Sequence, residues 1–220
     1  MNDTIFFSVD CQKDFINPDG ALYIKDAELI KPQLKYLTDY AREHNIKVIS
    51  TADRHTKNDL EISDKPDFKN TFPEHCIAGT HGLDFIEEAD IDLKEDFSFY
   101  VTNKLQFFPI DSVLKSRNII LFKNDFDIFK GNKYTEKVLE LLKPNAVIIY
   151  GVATEFCINA AVLGLIKRGY KVYAVIDAMK ALPNTKSEDI FINWLNDDAI
   201  YVKNLITLIT TKQLEKILCK

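Results

Sequence analysis

The sequence predicts an α/β fold: a three-layer α/β/α sandwich on a mainly parallel sheet. Three observations carry this. Short apolar runs such as 118–122 (NIILF) and 146–151 (AVIIYG) recur along the chain, as expected of strands buried on both faces. Between them stand segments whose apolar residues repeat at helical spacing, and strands that alternate with helices pair in parallel with helices over both faces. No repeat, low-complexity tract or linker interrupts the 220 residues, so a single domain is expected over 1–220.

Taken in order, 4–9 (TIFFSV) reads as a buried strand and 28–44 as a helix, with Leu34, Leu37 and Tyr40 among its apolar positions and Pro32 near its start, where a missing N–H is tolerated. A second strand is expected at 46–51. The segment from Ala52 to about Gly82 is polar and aperiodic, and loops of that length in compact domains are usually functional or disordered. The aromatic segment 97–103 (FSFYVTN) suits an edge strand or a loop. For the wider aromatic stretch 97–108 (FSFYVTNKLQFF) an interface, a lid and a core role are all open, with core and pocket wall preferred. Strands are expected at 118–122, 146–151 and 171–177. Helices are expected at 135–143, 156–169, 187–196 and 211–218. The third-named helix pattern is 156–169, whose Ile158, Ala161, Val162, Leu165 and Ile166 form an apolar stripe.

Hydrophobic residues make up 46% of the chain, enough for a sizeable core without disulfides or metals. The formal net charge is −5 and the pI is near 5.4, with lysines scattered among acids and no basic stripe. That argues against nucleic acid or an anionic membrane as partner. Cys11, Cys76, Cys157 and Cys219 form no CxxC pair and are widely spaced, so a reducing, cytoplasmic setting is the simplest expectation. The N-terminus lacks the basic start and long apolar run of a signal peptide. No apolar run approaches the ~18 residues of a membrane span.

Open parallel sheets bind ligands outside the carboxyl ends of their strands. Asp10 follows the first strand, Asp53 and His55 follow the second in TADRH, Lys123 follows NIILF, and Cys157 follows AVIIYG. Four segments distant in sequence thus bring reactive side chains to one rim. If Thr154 caps the next helix, Cys157 falls at its third position. A thiol there feels the positive end of the helix dipole, which lowers its pKa, and the backbone N–H groups of that turn could hold an oxyanion. A lone cysteine is more often a small buried hydrophobe; the company of the other strand ends favours a nucleophile. Asp10 could cap a turn, or could accept the thiol proton and later give it to a leaving amine. Lys123 could be a solvated strand-end charge, or a fixed cation that stabilises a thiolate and orients Asp10. Such a set works without histidine.

Asp53 and His55 bring two ligand-type side chains to one short segment, and His75 in FPEHC offers a third. Together they suit Zn²⁺ or a similar ion, although a DxH pair also occurs on ordinary surface loops. Glu61 and His81 are spare ligand candidates. Cys76 adjoins His75, but neighbouring side chains point apart, so a packing role is preferred for it.

These residues resemble those of the isochorismatase-like cysteine hydrolases, with the nicotinamidase/pyrazinamidase branch nearest. VDCQKDF is similar to the family's D-x-Q-x-D-F opening, TADRH to its T-x-D-x-H segment, and FPEHCIAGTHG to W-P-x-H-C-x-x-G-T-x-G. GVATEFC, followed by GYKV, resembles the G-x-A-T-[DE]-x-C helix opening and the strand after it. The resemblance runs from about Ile5 to Asp177. It implies a mainly parallel sheet of roughly six strands and an Asp10–Lys123–Cys157 triad with Cys157 as nucleophile and Asp10 as general base. It further implies a cis peptide at Val152–Ala153 that helps the Ala153 and Cys157 N–H groups form an oxyanion hole. A divalent metal on Asp53, His55 and His75 is implied, zinc first, with iron or manganese as alternatives. Phe15 and Phe72 would pack on the substrate, Phe72 in place of the usual tryptophan.

The activity implied is that of a metal-dependent cysteine amidohydrolase. It would deaminate a small aromatic carboxamide such as nicotinamide to nicotinate and ammonia, a step of NAD salvage. The alternative within the family is hydrolysis of another small substrate, a carbamoyl or ureido compound or an isochorismate-like vinyl ether. A non-enzymatic α/β module is the third reading, against which the triad argues. Family members often form homo-oligomers, though the sequence itself shows no interface signal. Departures from the pattern are Arg54 between the metal Asp and His, Glu61 where some members place a fourth metal-side histidine, and KNDFDIFKGN after the lysine, which changes one pocket wall.

Overall fold

The computed structural model describes residues 4–90, 98–196 and 205–218. Seven strands form its centre: β1 (Thr4–Val9), β2 (Val48–Asp53), β3 (Ser98–Val101), β4 (Asn118–Lys123), β5 (Ala146–Val152), β6 (Lys171–Lys180) and β7 (Ile206–Ile209). They lie in the order β3-β4-β2-β1-β5-β6-β7, and every pairing is parallel. The helices are α1 (Lys13–Ile16), α2 (Lys31–Glu43), α3 (Ile110–Lys115), α4 (Ile128–Gly131), α5 (Thr135–Leu142), α6 (Asn159–Lys167), α7 (Ser187–Asn196) and α8 (Leu214–Leu218).

Both faces of the sheet are covered, as the apolar runs require. Side chains alternate across a strand. Phe7, Val9, Val147 and Ile149 therefore share one core with Val138 and Leu139 of α5, Val162 and Leu165 of α6, and Trp194 of α7. Phe6, Ile148, Tyr150 and Val152 share the other with Leu34 and Leu37 of α2 and Leu214 and Leu218 of α8. Burying each large side chain of this kind contributes about 1.5–3 kcal/mol. Among the described residues no helix is long and apolar enough to cross a membrane.

The predicted α/β architecture is present, with one strand more than the roughly six implied. The extra edge strand is β7, a four-residue run too short to announce itself. The aromatic segment supplies the opposite edge, β3, paired with β4. It is core rather than wall of the catalytic cavity: Val101 is buried, Phe99 packs against the core, and Tyr100 stacks on Phe122 at 5.5 Å between centroids. Phe97 and Cys219 lie outside the described residues. Cys11, Cys76 and Cys157 are free and buried.

Some boundaries differ in ways that matter. Asp53 and Lys123 are the last residues of β2 and β4 rather than loop residues beyond them. Thr154 is not an N-cap. The chain after β5 makes a π-helical turn over Thr154–Ile158 with Ala153 at the cap position, and the Thr154 hydroxyl instead meets Ser187 Oγ at 3.0 Å. The Ala153 carbonyl accepts from the N–H groups of Phe156 and Ile158. Part of the 52–82 segment is ordered without regular structure by Asp67, whose carboxylate accepts the N–H groups of Lys69, Asn70 and Thr71 at 2.8–2.9 Å. Those bonds hold its pKa below the usual carboxylate range.

Candidate active site

The site follows from the strand order. The chain leaves β1 for β2, β3 and β4 on one side and returns to β5 on the other, so β1 and β5 flank the switch point at which such sheets take ligands. β4, β2, β1 and β5 are consecutive neighbours, and their carboxyl ends present Lys123, Asp53, Asp10 and Val152 side by side. Asp53 and Lys123 face each other directly in the ladder register. Asp10, one residue beyond β1, has φ +48°, a conformation that costs a non-glycine residue on the order of 1 kcal/mol. Thr51 holds it there: the Asp10 N–H donates to the Thr51 carbonyl at 3.2 Å, and the Thr51 hydroxyl donates to Asp10 Oδ1 at 2.6 Å.

Lys123 joins two carboxylates and a thiol. The residue is 2% exposed, and its ammonium lies 3.0 Å from Asp10 Oδ2 and 3.5 Å from Cys157 Sγ and also contacts Asp53 Oδ1. Burial works against the cation, but Asp10 and Asp53 outweigh it and hold Lys123 well above the ordinary lysine value. For Asp53, burial is outweighed by the Lys123 charge and the His75 hydrogen bond, so its pKa is lowered. For Asp10, burial prevails over Lys123 and raises the carboxyl. Cys157 departs from the sequence-based expectation of a depressed pKa. Burial of the thiol exceeds the help from Lys123, and Asp10 adds repulsion, so the group sits well above the ordinary thiol value. Burial thus favours the protonated thiol, and the helix-end effect does not overcome desolvation.

The strand-to-helix junction sets the position of Cys157. Gly151 has φ +123°, and a Cβ there would lie 2.0 Å from the Val9 carbonyl oxygen, so no larger residue fits against β1. The Val152–Ala153 peptide is cis, as the resemblance implied. Ala153 and Cys157 line the same cavity.

Asp53, His55 and His75 are all buried and offer ligand atoms that lie within 4.8 Å of one another. His55 Nε2 is 3.9 Å from Asp53 Oδ1, and His75 Nε2 is 3.8 Å from Asp53 Oδ2. His75 Nδ1 meets the Pro73 carbonyl at 2.7 Å, so Nε2 is the nitrogen with a free lone pair in the neutral ring. Both ring nitrogens of His55 are buried without a hydrogen-bond partner, and Asp59 Oδ2 stands 3.4 Å from its Nδ1, as an orienting carboxylate would. Two imidazoles and one carboxylate suit a zinc-like ion, and the orphaned His55 nitrogens make the residues fit one. Burial lowers the His55 pKa, while for His75 the Asp53 carboxylate more than offsets burial and raises it. Glu61 lies outside this cluster. His81 also stays out: its side chain is fully exposed and pairs with Asp84 at 3.2 Å.

Two residues not singled out from the sequence hold this arrangement. Gln12 Oε1 accepts the Asp53 N–H at 2.7 Å while its Nε2 donates to the Asp53 and Leu83 carbonyls at 2.8 and 2.9 Å. Asp14 accepts the N–H of Cys76, next to His75, at 2.6 Å and that of Ala21 at 3.0 Å. Cys76 itself packs, as expected, with burial raising its thiol pKa.

A cavity opens over Asp53, His75 and Cys157. Phe15 and Phe72 both line it: Phe15 lies 5.4 Å from the His75 ring, and Phe72 packs edge-on to Phe156 at 5.2 Å. Leu22, Ile24, Phe126 and Leu182 complete its apolar walls, and Glu61 adds a carboxyl group. Burial raises that carboxyl to about 7. The Leu182 wall is tied to the nucleophile turn by Glu155, whose Oε1 accepts the Leu182 N–H at 2.9 Å.

Comparison with known proteins places the fold and the family. A nicotinamidase from Saccharomyces cerevisiae is 25% identical over 193 residues, covering 77% of this chain and 84% of the relative. A nicotinamidase/pyrazinamidase from Mycobacterium tuberculosis is 33% identical over 82 residues, covering 37% of this chain and 43% of the relative. The crystal structure of a pyrazinamidase of Pyrococcus horikoshii in complex with zinc superimposes with a TM-score of 0.70 at 23% identity, covering 94% of this chain and 99% of that one. The isochorismatase domain model matches residues 4–108 and 101–213. The chain is a hydrolase and belongs to the isochorismatase family.

Proposed function

We propose that the protein is a metal-bearing cysteine amidohydrolase that converts a small aromatic carboxamide such as nicotinamide to the carboxylic acid and ammonia through a thioester on Cys157. The observation that carries this reading is the place of Lys123 Nζ, 3.0 Å from Asp10 and 3.5 Å from Cys157, whose thiol group lines an aromatic-walled cavity. The likeness to curated nicotinamidases supports it.

As Cys157 Sγ attacks the amide carbon, Asp10 takes the thiol proton, which removes the need for a preformed thiolate. Lys123 keeps Asp10 aligned and offsets the charge that develops on sulfur. The tetrahedral oxyanion faces the backbone N–H groups of Ala153 and Cys157. Asp10 then gives its proton to the amide nitrogen, the C–N bond breaks, and ammonia leaves a thioester. In the second half Asp10 takes a proton from water, the hydroxide attacks the thioester carbonyl, and the C–S bond breaks. The proton returns to Sγ and the acid departs. Phe15 and Phe72 hold the flat ring and exclude water. Asp53, His55 and His75 would hold a divalent ion, zinc first, which when bound supplies a Lewis-acid anchor for a ring nitrogen.

The aromatic walls favour a flat carboxamide over carbamoyl, ureido or vinyl ether substrates. The test is ammonia release from nicotinamide by metal-loaded protein. Turnover abolished by Cys157→Ala supports the reading; absence of turnover across a broad carboxamide panel overturns it.

A further inference from the structure

The connection between β6 and α7, residues 181–186, has no regular structure, yet it supplies Leu182 to the wall of the cavity that Cys157 lines. Connections of this kind are more mobile than the elements they join unless something ties them down. Here the ties run to one place. At the start of the connection, β6 stays paired with β5 as far as Val152 opposite Lys180. In its middle, Glu155 Oε1 accepts the Leu182 N–H at 2.9 Å. At its end, the Ser187 hydroxyl meets the Thr154 hydroxyl at 3.0 Å.

All three anchors lie within residues 152–155, just before Cys157 on the turn that also carries Ala153. Only the Glu155 bond reaches the residue that forms cavity wall. Burial raises the Glu155 carboxyl, while hydrogen bonds from the Leu182 N–H and the Thr185 side chain favour its charged form. Two residues of the connection thus bear on one carboxylate, and a bond to a charged acceptor is about twice as strong as a neutral one. Glu155 takes no part in the contacts among Asp10, Lys123 and Cys157, nor does it line the cavity. Its role is therefore mechanical. Wall and nucleophile are mounted on the same turn, which fixes the space between Leu182 and the reacting sulfur.

We propose that Glu155 is a positioning residue: by gripping the Leu182 N–H it holds the Leu182 side chain as the wall that limits how large a ring the cavity admits. This rests on the amidase reading and deepens it. A methyl group that a fixed apolar wall cannot accommodate is discriminated by about tenfold or more, whereas a wall free to retreat discriminates little.

Metal-loaded full-length protein is assayed with nicotinamide and its 5-methyl and 6-methyl analogues in wild type, Glu155→Ala, Glu155→Gln, Leu182→Ala and the Glu155→Ala/Leu182→Ala double variant. Wild type is expected to favour nicotinamide over at least one methyl analogue by about tenfold in kcat/KM. Glu155→Ala narrows that ratio to within about threefold and raises KM for nicotinamide about tenfold with kcat little changed, the mark of lost uniform binding. Glu155→Gln, which keeps an acceptor oxygen, restores part of both. In the Leu182→Ala background Glu155→Ala changes the ratio no further, because the two residues act through one wall. Hydrogen–deuterium exchange read by mass spectrometry supplies an arm that needs no turnover: exchange in 181–186 speeds up about tenfold or more in Glu155→Ala and less in Glu155→Gln. No turnover by wild type overturns the amidase reading, and exchange alone then decides whether Glu155 holds the wall. Unchanged exchange in Glu155→Ala, equal kcat/KM for all three amides in wild type, a loss confined to kcat, or additive effects in the double variant overturns the assignment.

Discussion

The side-chain amide of Gln12 grips the backbone of Asp53 from both sides, accepting its N–H at 2.7 Å and donating to its carbonyl at 2.8 Å. A group from the end of β1 therefore sets the height at which the carboxylate of β2 emerges toward His55, His75 and Lys123. Gln12→Ala leaves three buried backbone groups unpaired, those of Asp53 and the Leu83 carbonyl. A loss of about 2–4 kcal/mol in urea unfolding is expected. Gln12→Glu keeps the Asp53 N–H bond but loses both donors. Zinc affinity, measured by competition with a chromophoric chelator, is expected to fall about tenfold to a hundredfold in Gln12→Glu. Unchanged affinity in a folded variant would show that Gln12 does not position the metal carboxylate.

Burial favours a protonated Cys157 over a preformed thiolate, and this changes what a reactivity assay should read. Burial and the Asp10 carboxylate raise its pKa against the pull of Lys123. Iodoacetamide at pH 7 should modify it more slowly than an unperturbed cysteine, with no rise in rate until well above pH 9. Turnover near neutrality then depends on Asp10, and Asp10→Asn should lower kcat by about a thousandfold or more at every pH from 6 to 9. A fast alkylation phase with an inflection below pH 8 would restore the thiolate account.

That Asp10, Lys123 and Cys157 would meet was legible because each lies at or just beyond the end of an apolar run, and burial patterns of strands are local in sequence. The sign of the Cys157 shift was not, since desolvation comes from residues on other elements, and a helix-end argument counts only the local dipole. Gln12 and Asp14 act on backbone groups 41 and 62 positions away, and nothing in their own neighbourhood marks those partners. Glu61 was visible only as a metal candidate; the unpaired oxygen and the cavity wall are tertiary facts. Phe15 and Phe72 came from the resemblance, and both line the cavity. The Asp53–Lys123 contact follows from parallel register between β2 and β4, which no single-strand pattern specifies.

Glu61 also gives the metal-free protein a pH-dependent stability. Burial, the largest cause, raises its folded value to about 7 from the ordinary carboxylate value of 4.5. The folded state therefore binds the proton more tightly than the unfolded chain does. Stability from this group is complete below about pH 4.5 and is lost as pH rises through about 7. Glu61→Gln removes the loss. Against wild type, the metal-free variant should be near neutral at pH 4 and more stable by on the order of 1–3 kcal/mol at pH 8. Thermal unfolding of both proteins from pH 4 to 8 checks this; a variant with no relative gain at high pH would place Glu61 in a solvated setting.

Lys123 lies against two buried carboxylates, and its removal should be felt first as stability. Lys123→Met leaves the buried Asp10 and Asp53 without their shared cation. Breaking a buried charge set by removing one partner costs about 3–5 kcal/mol. The sign with pH follows from the shifts. In wild type, Lys123 lowers Asp53, so that group's stabilisation is present above the ordinary carboxylate range and is lost on acidification. Asp10 is raised and works in the opposite sense. Without Lys123 both carboxyls are raised, folding takes up protons, and the variant gains on acidification relative to wild type. Its deficit should therefore be largest near pH 8 and shrink toward pH 5. Urea unfolding at the two values checks this, with circular dichroism confirming that both states are folded at zero denaturant. A deficit of equal size at pH 5 and pH 8 would mean that lost packing of the lysine stem, not charge, sets the cost.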